Sequence, residues 1–93
     1  MMSSYDSIKE HLLNLKLIAQ KAQIKKYSGV ALLEISREPK IAAEIQAIIR
    51  EIGTANLNPE QKRKLVPVRE KLSQMLTTDQ LIFATVNNLT QRL

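Results

Sequence analysis

The side chains that could take part in catalysis or metal binding are few, because the 93-residue chain has one histidine and no cysteine. The lack of cysteine removes disulfides, thiolate zinc sites and thiol nucleophiles together. His11 lies one position from the apolar stripe of the first predicted helix, with no nucleophile or glycine-rich phosphate loop near it in sequence. We therefore expect a partly covered histidine at the edge of the core, no metal site, no cofactor and no enzymatic activity.

Asp79 is the one polar residue in an apolar heptad series that runs from Leu65 to Leu93. An unpaired carboxylate on the inner side of a helix would be costly. We expect its side chain to reach a helix end, a tyrosine hydroxyl or a basic group within the fold, as polar residues that fix register do in coiled coils. The alternative is that it binds a basic group of a partner.

Two basic clusters account for the formal net charge of +5. They lie at the end of the first predicted helix and at the start of the last: Lys21, Lys25, Lys26, Lys62, Arg63 and Lys64. Cations are favoured at a helix C-terminus, whereas a helix N-terminus attracts anions. No aromatic side chains alternate with these cations, as stacking on single-stranded nucleic acid would require. We expect a solvated basic face and keep nucleic acid as a less favoured partner.

The elements that position these residues are helices with an aliphatic core, since 44% of the residues are apolar but only 3% are aromatic. In the first helix, apolar residues recur in steps of three and four, at Ile8, Leu12, Leu15, Ala19 and Ala22. We predict that Ser3 or Ser4 caps this helix. We expect it to run to about Gln23 or Lys26, before a break at residues 27–29.

The middle of the chain holds two apolar parts, residues 30–35 and residues 41–52, on either side of Pro39. Proline removes an amide donor and crowds the preceding helical turn. Either the helix kinks at Pro39, or Ser36 caps a new helix that has Pro39 near its start. We expect Gly53 to end this helix in the left-handed conformation.

The last helix has the strongest start signal of the chain, Asn58-Pro59-Glu60-Gln61. It combines a capping side chain, a proline at the first helical position and a glutamine placed to reach back. The apolar stripe that follows keeps its phase through residues 77–79 as far as Leu93. This predicts one long helix that continues through the threonines and bends at Pro67.

These segments predict an all-α protein. We expect one domain, residues 1–93, folded as an antiparallel bundle of three long helices. One or two of these helices are kinked or split, so that they could be counted as four. The apolar runs are shorter than the ~20 residues of a membrane span, and the first residues do not form a signal peptide, so we expect a cytoplasmic protein.

Apolar residues outnumber those that so small a core needs. Leu13 and Leu17 lie beside the first stripe, and Leu76 and Phe83 lie beside the last. Either a fourth packed segment covers them, or they stay exposed as a patch that binds protein. In the second interpretation this chain forms a groove that binds a partner helix. The residues predicted to line the groove are Leu13, Leu17, Leu76, Phe83, Val86 and Leu89.

Two stretches carry a resemblance to a known family. Residues 27–45 read Y-S-G-V-A-L-L-E-I-S-R-E-P-K-I-A-A-E-I, and residues 57–93 contain L-N-P-E-Q-K and L-T-T-D-Q-L-I. This order of segments resembles the FliT-type flagellar export chaperones, with the FlgN type and type III secretion chaperones as related families. Pro39 and the basic composition depart from the family pattern. The chain also stops at Leu93, without the extra C-terminal helix of longer members.

The resemblance implies a chaperone that holds a helical segment of a flagellar or type III export substrate in an apolar groove. A second interpretation is a helical adaptor whose surplus apolar stripes pair with those of a second copy in a homodimer. A third, less favoured one is a small nucleic-acid regulator that uses the two basic clusters. None of these involves a membrane span or a small-molecule substrate.

Overall fold

A computed structural model describes residues 4–22, 25–27 and 30–93 of the chain. Within them it is largely helical, which confirms the predicted fold class. The elements in chain order are α1 Ser4–Lys21, β1 Lys25–Tyr27, β2 Val30–Glu34, a short 3-10 helix Ile35–Arg37, α2 Pro39–Thr54, α3 Pro59–Thr78, β3 Gln80–Ile82 and α4 Phe83–Gln91. Helix α1 packs against α2 and α4, and α3 packs against α2.

Helix α1 buries the stripe that its spacing predicts. Ile8, Leu12, Leu15 and Ala19 have no exposed surface. The helix ends at Lys21, and Lys26 belongs to β1, so the longer of the two predicted extents is wrong. The expectations for Ser3 and Gln23, and for the break at residues 28–29, lie outside the described residues.

A three-stranded antiparallel sheet was not predicted. Strand β2 lies in its centre and pairs with β1 on one side and β3 on the other, with Leu33 opposite Leu81. Leu33 and Ile35 are buried on either side of exposed Glu34, which is the alternation of a strand and not of a helix. The apolar stretch at residues 30–35 therefore forms a strand and the start of the 3-10 helix.

Helix α2 begins at Pro39, so the chain is split there, in agreement with the second of the two alternatives. The N-cap is Glu38, and Ser36 lies in the 3-10 helix instead of capping α2. Ile41, Ile45 and Ile48 are fully buried. The prediction that Gly53 ends the helix is wrong, because α2 continues to Thr54 and its C-cap residue Ala55 has an extended backbone.

Helix α3 starts with the predicted capping box. The Asn58 side chain accepts from the Gln61 amide at 2.8 Å, and the Gln61 side chain accepts from the Asn58 amide at 3.2 Å. The helix continues through Pro67 without a break. The predicted single helix to Leu93 is wrong, because α3 stops at Thr78 and Asp79 adopts a left-handed backbone with φ of 56°. Strand β3 and α4 follow.

This break places α4 against α1. Strand β3 pairs with β2, and α4 starts directly after Ile82, so the sheet sets where the last helix begins. Val86 and Leu89 then pack into the core at 1% and 3% exposure. Helix α4 therefore closes the core on one side of α1, but it does not cover Leu13 and Leu17, which stay more than half exposed.

Candidate functional site

His11 joins α1 to α2. Its Nδ1 lies 2.6 Å from Oε1 of Glu44, and its Nε2 lies 3.3 Å from Oε2 of Glu51. Asn14, three residues after His11 on α1, donates from its side-chain amide to Oε2 of Glu44 at 3.2 Å. The histidine side chain is 39% exposed, as expected for a residue at the edge of the core. The two glutamates were not predicted as partners of His11. They lie seven residues apart on α2, a spacing that places them on one face of the helix.

Asp79 has a structural role within the fold. Its carboxylate accepts from the Ser36 amide at 2.6 Å and from the Ser36 hydroxyl at 2.7 Å, and its carbonyl oxygen accepts from the Ile35 amide. The side chain thus reaches the start of the 3-10 helix, which is one of the predicted partners. The prediction that Asp79 lies on the inner side of a helix is wrong, because the residue follows α3 and is half-buried.

The basic residues lie on three different elements. Lys62, Arg63 and Lys64 are exposed on the first turns of α3, and Lys21 is exposed at the end of α1. Lys25 and Lys26 belong to β1, so the first cluster spans a helix end and a strand instead of one helix terminus. Side chains of these two lysines lie outside the described residues.

The six predicted partner-binding residues divide into three groups. Val86 and Leu89 are core residues, so they cannot line a surface groove in this structure. Leu76 and Phe83 are partly buried and pack against the same core. Leu13 and Leu17 are 51% and 54% exposed. An open groove on the last helix is therefore absent from the described residues, and the exposed apolar surface lies on α1.

We define the outer face of α1 as Glu10, Leu13, Asn14, Leu17 and Lys21. Four of these residues follow steps of four, three and four, and Leu13 lies beside them, so all five share one side of the helix. All five are exposed, whereas the opposite side of α1 is buried. A shallow groove of about 450 Å³ runs along this face and is lined by Ser7, Glu10, His11, Leu13, Asn14 and Leu17.

The charged residues of the outer face lie in a fixed order along α1 that was not predicted. Glu10 lies toward the N-terminal end of the two leucines, and Lys21 lies toward their C-terminal end. The signal was present, because Glu10, Asn14, Leu17 and Lys21 repeat at helical spacing. In the sequence, Lys21 also belongs to a basic cluster, which separates it from the apolar residues of this stripe.

Val66 on α3 is the other large hydrophobic residue that is mainly exposed among the described residues, at 51%. Unlike the leucines of α1, it has no exposed large hydrophobic neighbour one turn away. Its exposed neighbours one turn away on the same helix are three cations and one acid: Lys62, Arg63, Arg69 and Glu70. Single exposed apolar residues of this kind are common on protein surfaces, whereas adjacent ones are not. Val66 is therefore a matched control for Leu13 and Leu17.

Comparisons with known proteins complete the description of the site. No family model matches the chain, and neither does any curated protein or solved structure.

In residues 4–22, 25–27 and 30–93, none of the helices combines the length and the apolar character needed to cross a membrane. The same part of the chain contains no group of three or more His, Cys, Asp or Glu side chains that could hold a metal ion.

Proposed function

We propose that this protein is a helical protein-binding module that holds a helical segment of a partner on the outer face of α1. The observation that carries the proposal is the exposure of Leu13 and Leu17, one turn apart, on a helix whose opposite side is completely buried. Leucines four residues apart lie on one side of a helix and form the type of apolar contact that helix-in-groove recognition uses.

The two leucines lie on a helix that its neighbours hold in place, so a partner would dock on a rigid surface. The packing of α1 against both α2 and α4 fixes its position, and the contacts of His11 with Glu44 and Glu51 add a polar link to α2. A partner therefore meets a preformed surface and does not have to order it. Because about half of each leucine is already covered, complete burial would contribute roughly 1 kcal/mol for each side chain.

A finer proposal concerns the partner. The resemblance of residues 27–45 and 57–93 to FliT-type chaperones favours a helical segment of a flagellar or type III export substrate as the bound element. Two leucines alone give weak binding, which suits a chaperone that must release its substrate. In this proposal the outer face of α1 replaces the groove on the last helix that the sequence predicts.

A photoreactive amino acid at position 17 tests the docking surface directly. We expect benzoylphenylalanine in place of Leu17 to form covalent adducts with a protein in source cells after illumination, since it would lie inside the interface. The same amino acid at position 66, which is equally exposed on α3, is the matched control. Adducts at position 66 but not at position 17 would contradict the proposal.

Peptide titration tests the finer proposal. Synthetic peptides that cover the C-terminal helical segments of the export substrates of the source organism are titrated into wild type, Leu17→Asp and Val66→Asp. We expect binding to wild type and Val66→Asp and at least a tenfold loss for Leu17→Asp, because a carboxylate would be buried against an apolar contact. Equal affinity of all three proteins, or no binding to wild type, would contradict the export-substrate assignment.

A further inference from the structure

We infer that the helix seated on the outer face of α1 is α1 of a second copy of this chain, running antiparallel to the first. The inference rests on the proposed function, since it requires this face to be a protein-docking surface, and it assigns the face an occupant other than the export segment of the finer proposal. It depends on the order of charges along the face. The exposed acid and the exposed base lie on opposite sides of the two leucines.

The positions along the helix are nearly symmetric. The point midway between Leu13 and Leu17 lies five residues from Glu10 and six residues from Lys21. A twofold axis through this point would therefore place each Glu10 within about 1.5 Å, along the helix axis, of Lys21 of the second copy. The leucines would meet at the centre, where Leu13 of one copy lies level with Leu17 of the other.

The positions around the helix agree with the same arrangement. At about 100° per residue, Glu10, Asn14 and Lys21 all lie on one side of Leu17, within roughly 60° of it. In an antiparallel pair related by a twofold axis perpendicular to the two helices, residues on this side of one α1 lie next to residues on the same side of the other α1. Opposite charges therefore meet twice in each dimer, and the antiparallel helix dipoles are also favourable.

A parallel pairing of the same faces is disfavoured. It would bring Glu10 level with Glu10 and Lys21 level with Lys21, so that no opposite-charge pair would form at either end. Pairing through Val66 is less favourable, because an antiparallel pair centred there would join Lys62 to Glu70 but also Arg63 to Arg69, and it would bury one exposed apolar side chain from each copy instead of two. The two adjacent exposed leucines favour this face for the pairing, and the charge order favours the antiparallel direction.

Sedimentation velocity over a range of protein concentrations at low ionic strength tests the inference. We expect wild type to form a dimer and Leu17→Asp to remain monomeric. Glu10→Lys and Lys21→Glu should each raise the dimer dissociation constant by roughly tenfold or more, because two attractive pairs become repulsive in each dimer. Lys62→Glu, which makes the same charge change on α3, should leave it within about twofold.

The double variant Glu10→Lys/Lys21→Glu determines the direction of pairing. In the antiparallel dimer it recreates two opposite-charge pairs, so its dissociation constant should return to near the wild-type value. In a parallel dimer it would remain repulsive. All four substituted residues are exposed, so circular dichroism should show wild-type helix content for every variant.

Three outcomes would overturn the inference: a wild-type monomer at all concentrations, a dimer that survives Leu17→Asp, or a double variant that stays monomeric. The photoreactive residue at position 17 separates this failure from failure of the proposed function. Adducts at twice the mass of the chain support pairing with a second copy. Adducts with a different protein only would overturn the inference while the proposed docking surface stands. Absence of any adduct would overturn both.

Discussion

The two terminal helices of this protein each contribute apolar residues to the partner-binding groove that the sequence predicts, but these residues differ in burial. On α4, Val86 and Leu89 are buried at 1% and 3% exposure. On α1, Leu13 and Leu17 remain more than half exposed. The sequence suggested these residues as two walls of one groove, whereas the structure places one pair in the core and the other on the surface.

The difference originates at Asp79 and β3. The left-handed backbone of Asp79 ends α3, and the pairing of β3 with β2 starts α4 at a position from which it packs onto α1. Helix α1 is then covered by α2 and α4 on its inner side only. Apolar spacing therefore identifies stripes, but the neighbours that a stripe finds depend on how the chain turns elsewhere.

The largest expected effect compares one leucine from each helix. Leu89→Ala should lower the free energy of unfolding by about 2–5 kcal/mol, because it leaves a cavity in the core. Leu17→Ala should lower it by less than about 0.5 kcal/mol, because the side chain is mainly exposed. Urea unfolding at micromolar protein concentration, followed by circular dichroism, measures both. Equal losses would show that α1 and α4 are covered to the same extent.

A second substitution tests the break that separates α3 from α4. Asp79→Ala should cost about 1–3 kcal/mol, because it removes the two hydrogen bonds from Ser36 and places a less tolerant residue at positive φ. Asp79→Asn should cost less, since asparagine tolerates the left-handed region and keeps one acceptor oxygen. The same urea experiment compares them. Greater stability of the alanine variant would contradict a structural role for this residue.

A smaller effect is expected at the polar link between α1 and α2. His11→Ala should lower stability by about 0.5–1 kcal/mol, because it removes contacts to Glu44 and Glu51 from a partly exposed site. Gln20→Ala, at an exposed position of the same helix, is the control and should be neutral. A loss above about 2 kcal/mol would mean that α1 depends on this link more than on its buried stripe.

The sequence predicts best what is encoded locally. The Asn58 and Gln61 capping box lies within four residues, and the buried stripe of α1 follows one helical period, so both could be read directly. The sheet could not, because its strands are three to five residues long and Leu33 pairs with Leu81 from a distant part of the chain. The left-handed backbone at Asp79 was not predicted, since no glycine or proline marks the end of α3.

The candidate site could be predicted only in part. Leu13 and Leu17 were identified from their position beside the core stripe. Their exposure and the burial of Val86 and Leu89 depend on tertiary packing, which helical spacing does not determine. The charge order from Glu10 to Lys21 can be interpreted only once these two residues and the leucines between them are known to be exposed, which again depends on tertiary packing.

Methyl NMR of leucine- and valine-labelled wild-type protein over a dilution series tests most directly whether the outer face of α1 is the docking surface between copies. We expect concentration-dependent shifts of the Leu13 and Leu17 methyl signals, because these side chains move from water into the interface. The signals of exposed Val66 and buried Leu89 should not change. Shifts centred on Val66, or constant Leu13 and Leu17 signals at all concentrations, would contradict it.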